Sequence, residues 1–169
     1  MTRAERVAQL VDDLHRSALE RVRLVSSPEE LPTRILLYRA DFVVYDAEEV
    51  RRGDDAWARV RSMSDVAIDA KADAFAYVAT LQRRRYELAP GPQDGAGEGR
   101  FRIGGDPISE EWTLWTRFED ATGMVIGRVS VLELGDDGFS VVITEAEDGS
   151  TKAPILEPLR LGISSSISF

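Results

Sequence analysis

The residues best placed for acid–base chemistry are Tyr38, Arg39 and Asp41, which lie within the most apolar stretch of the chain, residues 35–45. A charge in such surroundings must be paired or must line a cavity, because burying an isolated charge is costly. Asp41 is therefore a candidate acid or base, with Tyr38 or Arg39 as its partner and a small apolar molecule as its substrate. The alternative is a structural Arg39–Asp41 ion pair, for which Asp41→Asn would cost stability, or simple exposure to solvent.

Histidine and cysteine usage restricts the remaining chemistry. The chain has no cysteine and a single histidine, His15, so thiol nucleophiles, disulfides and multi-histidine metal sites are excluded. His15 follows Leu14 at the margin of an apolar helical stripe, which favours a half-covered residue over a catalytic base. The paired carboxylates do not have the spacing of a calcium loop. We therefore expect no metal and no cofactor.

The segment from Glu133 to Gly149 contains six carboxylates and no basic residue. A surface of that kind can steer a basic partner by its field, although acidic turns that only maintain solubility have the same composition. The carboxylates that we single out as candidate partner-binding residues are Asp136, Asp137, Glu147 and Asp148.

Trp115 is a further candidate for partner binding. Strand alternation places Trp112, Leu114 and Phe118 on one face and Trp115 on the other. If exposed beside a polar rim, Trp115 would be an interface anchor. A tryptophan in this position is more commonly buried under a helix than exposed.

The overall charge and the first residues bear on partners and location. The net charge of −9 argues against nucleic-acid binding, which requires a concentrated basic face. The chain begins with charges of both signs and no apolar run of signal-peptide length, and its apolar stretches are too short to span a bilayer. Together with the lack of cysteine, this predicts a soluble, cytoplasmic protein without a membrane partner.

The only lysines of the chain are Lys71 and Lys152 among 21 basic residues, as is typical of GC-rich bacterial or phage genes.

The distribution of glycine predicts the fold class. Only Gly53 of the 13 glycines precedes residue 90, and helices exclude glycine whereas β turns favour it. We therefore expect an α+β fold in which N-terminal helices pack on a C-terminal antiparallel β meander. A single domain, 1–169, would comprise a helical part of about 1–88, a Gly/Pro-rich connection at 89–100 and a meander at about 101–169.

Individual elements differ in how strongly the sequence specifies them. A helix over about 3–24 has Thr2 and Glu5 in the spacing of a capping box. Residues 32–50 and 65–87 fit either helix or strand, and we favour helix for both. Strands are predicted at 112–119, 124–134 and 139–146, separated by glycine-containing turns.

The end of the chain is also predicted to be strand-like. Residues 152–163 can add a strand, which Pro154 and Pro158 would confine to an edge of the sheet. The alternation of isoleucine and serine over 163–169 could extend the protein's own sheet or add to the sheet of another subunit.

Two functions from different classes remain. The favoured one is a non-enzymatic protein-interaction or assembly module, either a phage-like structural subunit or an inhibitor-type binder. Its partner would be another protein or its own subunits. The alternative is a small pocket enzyme or small-molecule binder that uses Asp41 with Tyr38 or Arg39 on an apolar substrate.

Overall fold

The computed structural model describes residues 1–49, 55–85, 88–90, 101–103, 109–135, 138–147 and 153–165. Its regular elements, in chain order, are α1 (Arg3–Val22), β1 (Thr33–Arg39), β2 (Phe42–Glu49), α2 (Asp55–Asp69), β3 (Ala74–Arg85), β4 (Leu88–Pro90), β5 (Phe101–Ile103), β6 (Ser109–Asp120), β7 (Val125–Gly135), β8 (Gly138–Glu147) and α3 (Glu157–Ser165). The short strands β4 and β5 pair with each other, and the other six strands form one sheet.

The main sheet has the strand order β2-β1-β3-β6-β7-β8, and all its neighbouring strands are antiparallel. Helix α1 packs on one face, where Val7 and Val11 meet Leu36 and Phe118. Helices α2 and α3 cover the other face. The α+β class and the C-terminal meander of β6, β7 and β8 are confirmed.

Helix α1 forms as its sequence predicts. The Thr2 hydroxyl accepts the Glu5 backbone N–H at 3.2 Å, and the Thr2 backbone N–H donates to the Glu5 carboxylate at 2.6 Å. This capping box satisfies donors that the first helical turn leaves unpaired. The apolar stripe of α1 is buried against the sheet, where the helix provides one wall of the core.

The preference for helix over residues 32–50 is wrong, because this segment forms the β1–β2 hairpin. Strand β1 is covered on both faces: Leu36 and Tyr38 contact the α1 side, whereas Ile35 and Leu37 contact the α2 and α3 side. A strand buried on both faces shows no apolar–polar alternation, so its composition also fits a helix. The connecting turn has positive φ angles at Ala40 (48°) and Asp41 (66°), as a two-residue type I′ hairpin turn requires.

The helix expected over 65–87 is also wrong in its second half. Helix α2 ends at Asp69, Lys71 adopts a left-handed turn with φ 53°, and β3 begins at Ala74. The alanines of β3 are poor strand formers, but they are completely buried, and their small side chains suit a strand covered by helices on both faces. The first half of the chain is therefore mixed, with three strands of the main sheet before residue 88.

The C-terminal segment is helical where a strand was predicted. A 3-10 turn at Pro154–Leu156 leads into α3, and Pro158 fits because the first turn of a helix needs no backbone donor there. Ile163 is a buried residue of α3, so the predicted alternation does not apply at that position. Residues 166–169 lie outside the described residues. Within the described ranges, no helix is both long and apolar enough to cross a bilayer.

Candidate functional site

The edge strand β8 is the most exposed element of the sheet. Among the described strands it pairs with β7 alone, and nearly every residue along it is exposed. Val141, Val142 and Ile143 are consecutive and expose 36%, 58% and 46% of their surface. A β-bulge lies here: Val131 opposes Ile143 and Leu132 opposes Val141, so Val142 is the extra residue.

Two carboxylates beside this apolar run are free of salt bridges in the described part of the chain. Glu133 lies on β7 opposite Ser140, and Glu145 lies on β8 opposite Val129; both residues are exposed. The predicted partner-binding residues Asp136, Asp137 and Asp148 lie outside the described residues. The acidic character that the sequence predicts for residues 133–149 is therefore carried along this edge by Glu133 and Glu145, which lie on either side of the apolar run.

Glu147 and Trp115 lie in a buried polar network rather than on the surface. The Trp115 indole N–H and the Arg117 guanidinium both donate to the Glu147 carboxylate. Arg117, which is only 2% exposed, also donates from Nε to Glu119 at 3.0 Å. A side chain at position 127 would place its Cβ 2.6 Å from Glu147 Oε2, so Gly127 leaves the space that this carboxylate occupies.

Helix α3 adds Arg160 to this network of Trp115, Arg117, Glu119 and Glu147. Arg160 donates to both carboxylate oxygens of Glu119, at 2.7 and 2.9 Å, and to Glu157 at 3.1 Å. The network stabilises the packing of α3 on β6, and it leaves neither Trp115 nor Glu147 accessible as an interface anchor.

His15 is fully buried, whereas the sequence indicated a half-covered residue. Its Nδ1 lies 2.9 Å from the Thr116 hydroxyl and its Nε2 lies 2.6 Å from the Ser130 hydroxyl, which in turn lies 2.6 Å from the Thr144 hydroxyl. Burial lowers the pKa of His15 from 6.5 to about 4, and the nearby Arg128 charge adds to this effect. The serine is completely buried, so no substrate reaches it, and the chain of hydroxyls joins α1 to the sheet.

Tyr38, Arg39 and Asp41 do not assemble into an acid–base group. Asp41 lies in the hairpin turn with a side chain that is 42% exposed, and its carboxylate contacts Arg3 at 3.2 Å. Arg39 is exposed, and no ion pair joins it to Asp41 among the described residues. Burial raises the pKa of Tyr38 to about 12, so its hydroxyl stays protonated and is a poor base at neutral pH.

The structure therefore changes the expected effect of Asp41→Asn. Because exposed ion pairs contribute little and asparagine tolerates a left-handed turn, the free energy of unfolding should fall by less than about 1 kcal/mol. Urea unfolding measures this change. Asp120→Asn is the matched control: its side chain is 2% exposed and accepts from Thr122, Met124 and Arg3, so its loss should be larger. A loss above about 2 kcal/mol for Asp41→Asn would contradict the exposed position of this carboxylate.

The chain matches no known protein-family model, no curated protein and no solved structure. Among the described residues, no three histidine, aspartate or glutamate side chains are placed to hold a metal ion together.

Proposed function

We propose that this protein is a non-enzymatic interaction module that binds a basic protein partner through β8. The observation that carries the proposal is the run Val141, Val142 and Ile143, exposed on an edge strand beside the free carboxylates of Glu133 and Glu145. Single exposed apolar residues are common on proteins, but three consecutive ones on an edge strand provide apolar surface beside backbone groups that a partner can pair with.

The backbone of β8 adds a second means of recognition. From Ile143 to Glu147 the strand pairs in regular register with β7 on one side only. Its other edge can accept an extended segment of a partner, with main-chain hydrogen bonds supplying affinity and side chains supplying specificity. The bulge at Val142 limits such pairing to the strand's second half. A shorter pairing edge reduces nonspecific aggregation through β8.

Charge favours a basic partner over a second copy of the chain. Two copies pairing β8 antiparallel about Val142 would set Phe139 opposite Glu145 and would bring two acidic strand ends together. No basic residue lies between Glu133 and Gly149 to compensate them, and each copy carries a net charge of −9. A basic partner gains both steering and specificity from the same field. This supports the inhibitor-type binder over the self-assembling subunit.

The opposite edge strand, β2, provides a natural comparison. Phe42, Val43 and Val44 are also exposed, but the carboxylates beside them are already paired: Asp46 with Arg34 and Glu48 with Arg21. Among the side chains of β2 that the structure describes, apolar surface is therefore exposed beside carboxylates that are already paired.

Binding of a basic probe peptide tests the proposal. The probe is a fluorescent peptide of alternating lysine and valine, and its affinity is measured by anisotropy at low salt. Glu133→Gln with Glu145→Gln, and separately Val142→Ser with Ile143→Ser, should each weaken binding by about tenfold, or about 1.4 kcal/mol. Added salt should weaken wild-type binding, because exposed charges are screened.

The matched control is Val43→Ser with Val44→Ser on β2, which should leave the affinity unchanged. A second probe with the same charge but N-methylated amides separates strand pairing from charge attraction alone, and it should bind more weakly. Equal loss for the β2 and β8 variants, or wild-type affinity in both β8 variants, would overturn the proposal.

A further inference from the structure

Two cavities lie near the β1–β2 turn, away from β8. The first, called here the apolar cavity, has a volume of about 300 Å³ and is lined by Arg6, Val7, Leu10, Tyr38, Asp41, Phe42 and Phe118. The second, called here the acidic cavity, has a volume of about 410 Å³ and is lined by Arg3, Ala40, Asp41, Asp73, Asp120, Ala121 and Thr122. Asp41 contributes to the walls of both, so one ligand can contact both cavities.

Each cavity includes a residue with an orphaned polar atom. Tyr38 is 2% exposed, and its buried hydroxyl has no hydrogen-bond partner among the described residues. The Asp73 carboxylate accepts the Ala40 backbone N–H at 3.0 Å through Oδ2, but nothing in the described part of the chain hydrogen-bonds to its buried Oδ1. Buried polar atoms are nearly always hydrogen-bonded, so two orphans in adjoining walls indicate groups that a ligand can satisfy.

The charges of the acidic cavity favour a cation. Three aspartates and one arginine line it, and the Arg3 guanidinium is already shared between Asp41 and Asp120. The Asp120 carboxylate also accepts hydrogen bonds from the Thr122 hydroxyl at 2.6 Å and from the Met124 backbone N–H at 2.9 Å. The Asp73 carboxylate therefore remains without a compensating charge among the described residues, and a carboxylate ligand would be repelled.

The apolar cavity favours a hydrophobic body of modest size. Its walls are mainly aliphatic and aromatic, with the Tyr38 and Phe118 ring centroids 5.7 Å apart. Its volume lies at the lower end of the range of about 300–1,000 Å³ for ligand pockets. Aromatic rings also attract organic cations, so these walls are compatible with an amine nearby.

We propose that the joined cavities bind a small organic amine, with its apolar body in the apolar cavity and its ammonium group beside Asp73 and Asp41. The ammonium pairs with the Asp73 carboxylate, which has no compensating charge among the described residues, and it adds to the contacts that Arg3 and Arg6 make with Asp41. Tyr38 lines the apolar cavity, and its hydroxyl has no hydrogen-bond partner among the described residues. Binding here is independent of the partner surface on β8.

Three probes that differ in one group test this assignment: phenylbutylamine, phenylbutanol and phenylbutyrate. Isothermal titration should show saturable binding of the amine, at least tenfold weaker binding of the alcohol and no binding of the acid. Asp73→Asn should lower the affinity for the amine about tenfold and leave the affinity for the alcohol unchanged, because only the charge interaction is lost.

Tyr38→Phe supplies a second variant that keeps the fold, since the hydroxyl makes no hydrogen bond to any described residue. This variant should lower the affinities for the amine and for the alcohol by the same factor. Asp13→Asn, on the exposed side of α1, is the matched charge control and should change neither affinity. Equal binding of the amine and the acid, absence of amine binding, or an unchanged amine affinity in Asp73→Asn would overturn the proposal.

Discussion

Replacing Arg117 by methionine should lower the free energy of unfolding by about 3–5 kcal/mol. Arg117 is buried between β6 and α3, where it holds the carboxylates of Glu119 and Glu147. Methionine fills a similar volume but leaves the Glu147 carboxylate with the Trp115 indole N–H as its one side-chain hydrogen-bond donor among the described residues. Removing one partner of a buried ion pair is costly mainly because the other charge stays behind unpaired. Denaturant unfolding at neutral pH measures the loss.

Arg160→Met is the matched control, because it removes the other arginine that contacts Glu119. The Arg160 side chain is 24% exposed, and Glu119 keeps its bond to Arg117, so the loss should be less than half as large. Adding Glu147→Gln to Arg117→Met should recover part of the stability, since the uncompensated charge is then removed. A loss below about 1 kcal/mol for Arg117→Met would show that the network does not stabilise the fold.

Lowering the pH from 7 to 5 should reduce the free energy of unfolding by about 2 kcal/mol through His15 alone. The unfolded chain binds a proton at the ordinary histidine pKa of 6.5, whereas the folded protein binds it only at about 4. Stability is therefore complete above pH 6.5 and declines as the pH falls towards 4, where the loss reaches about 3 kcal/mol. Urea unfolding at a series of pH values measures the slope.

Three carboxylates with lowered pKa values titrate below the interval from pH 7 to pH 5. Arginine partners lower the pKa values of Asp46 and Glu48 below their usual range, and hydrogen bonds do the same for Asp120. Their stabilising effects are lost only below about pH 4.5, where the unfolded carboxylates take up protons. His15→Gln keeps a donor and an acceptor for Thr116 and Ser130 but does not titrate, so its stability should be flat between pH 7 and 5. Equal slopes in the variant and the wild type would exclude His15 as the cause.

The elements that the sequence specifies locally were predictable. Helix α1 has its capping box and an apolar stripe of helical period, and the meander has glycine-containing turns between alternating strands. Strands β1 and β3 lack such signals because helices cover the sheet on both faces. Ala74 and Ala76 are good helix formers in isolation, and only tertiary packing against α1 makes them strand residues.

The candidate site was predictable only in outline. Thr116 and Ser130 interrupt inward-facing apolar positions of their strands, and this signals a buried polar partner without identifying it. Their partner, His15, lies 115 positions from Ser130 in the chain. The acidic turn segment was visible in the sequence, but the burial of Glu147 depends on the space at Gly127, which no local pattern reveals.

Site-specific photo-crosslinking tests the role of β8 most directly. A photoreactive phenylalanine derivative is placed at position 142 in one variant and at position 44, on the opposite edge of the sheet, in another. Irradiation with the lysine–valine peptide should give an adduct at position 142 that diminishes with added salt, and little adduct at position 44. Equal adducts at both positions, or an adduct at position 44 alone, would contradict recognition of a basic partner by β8.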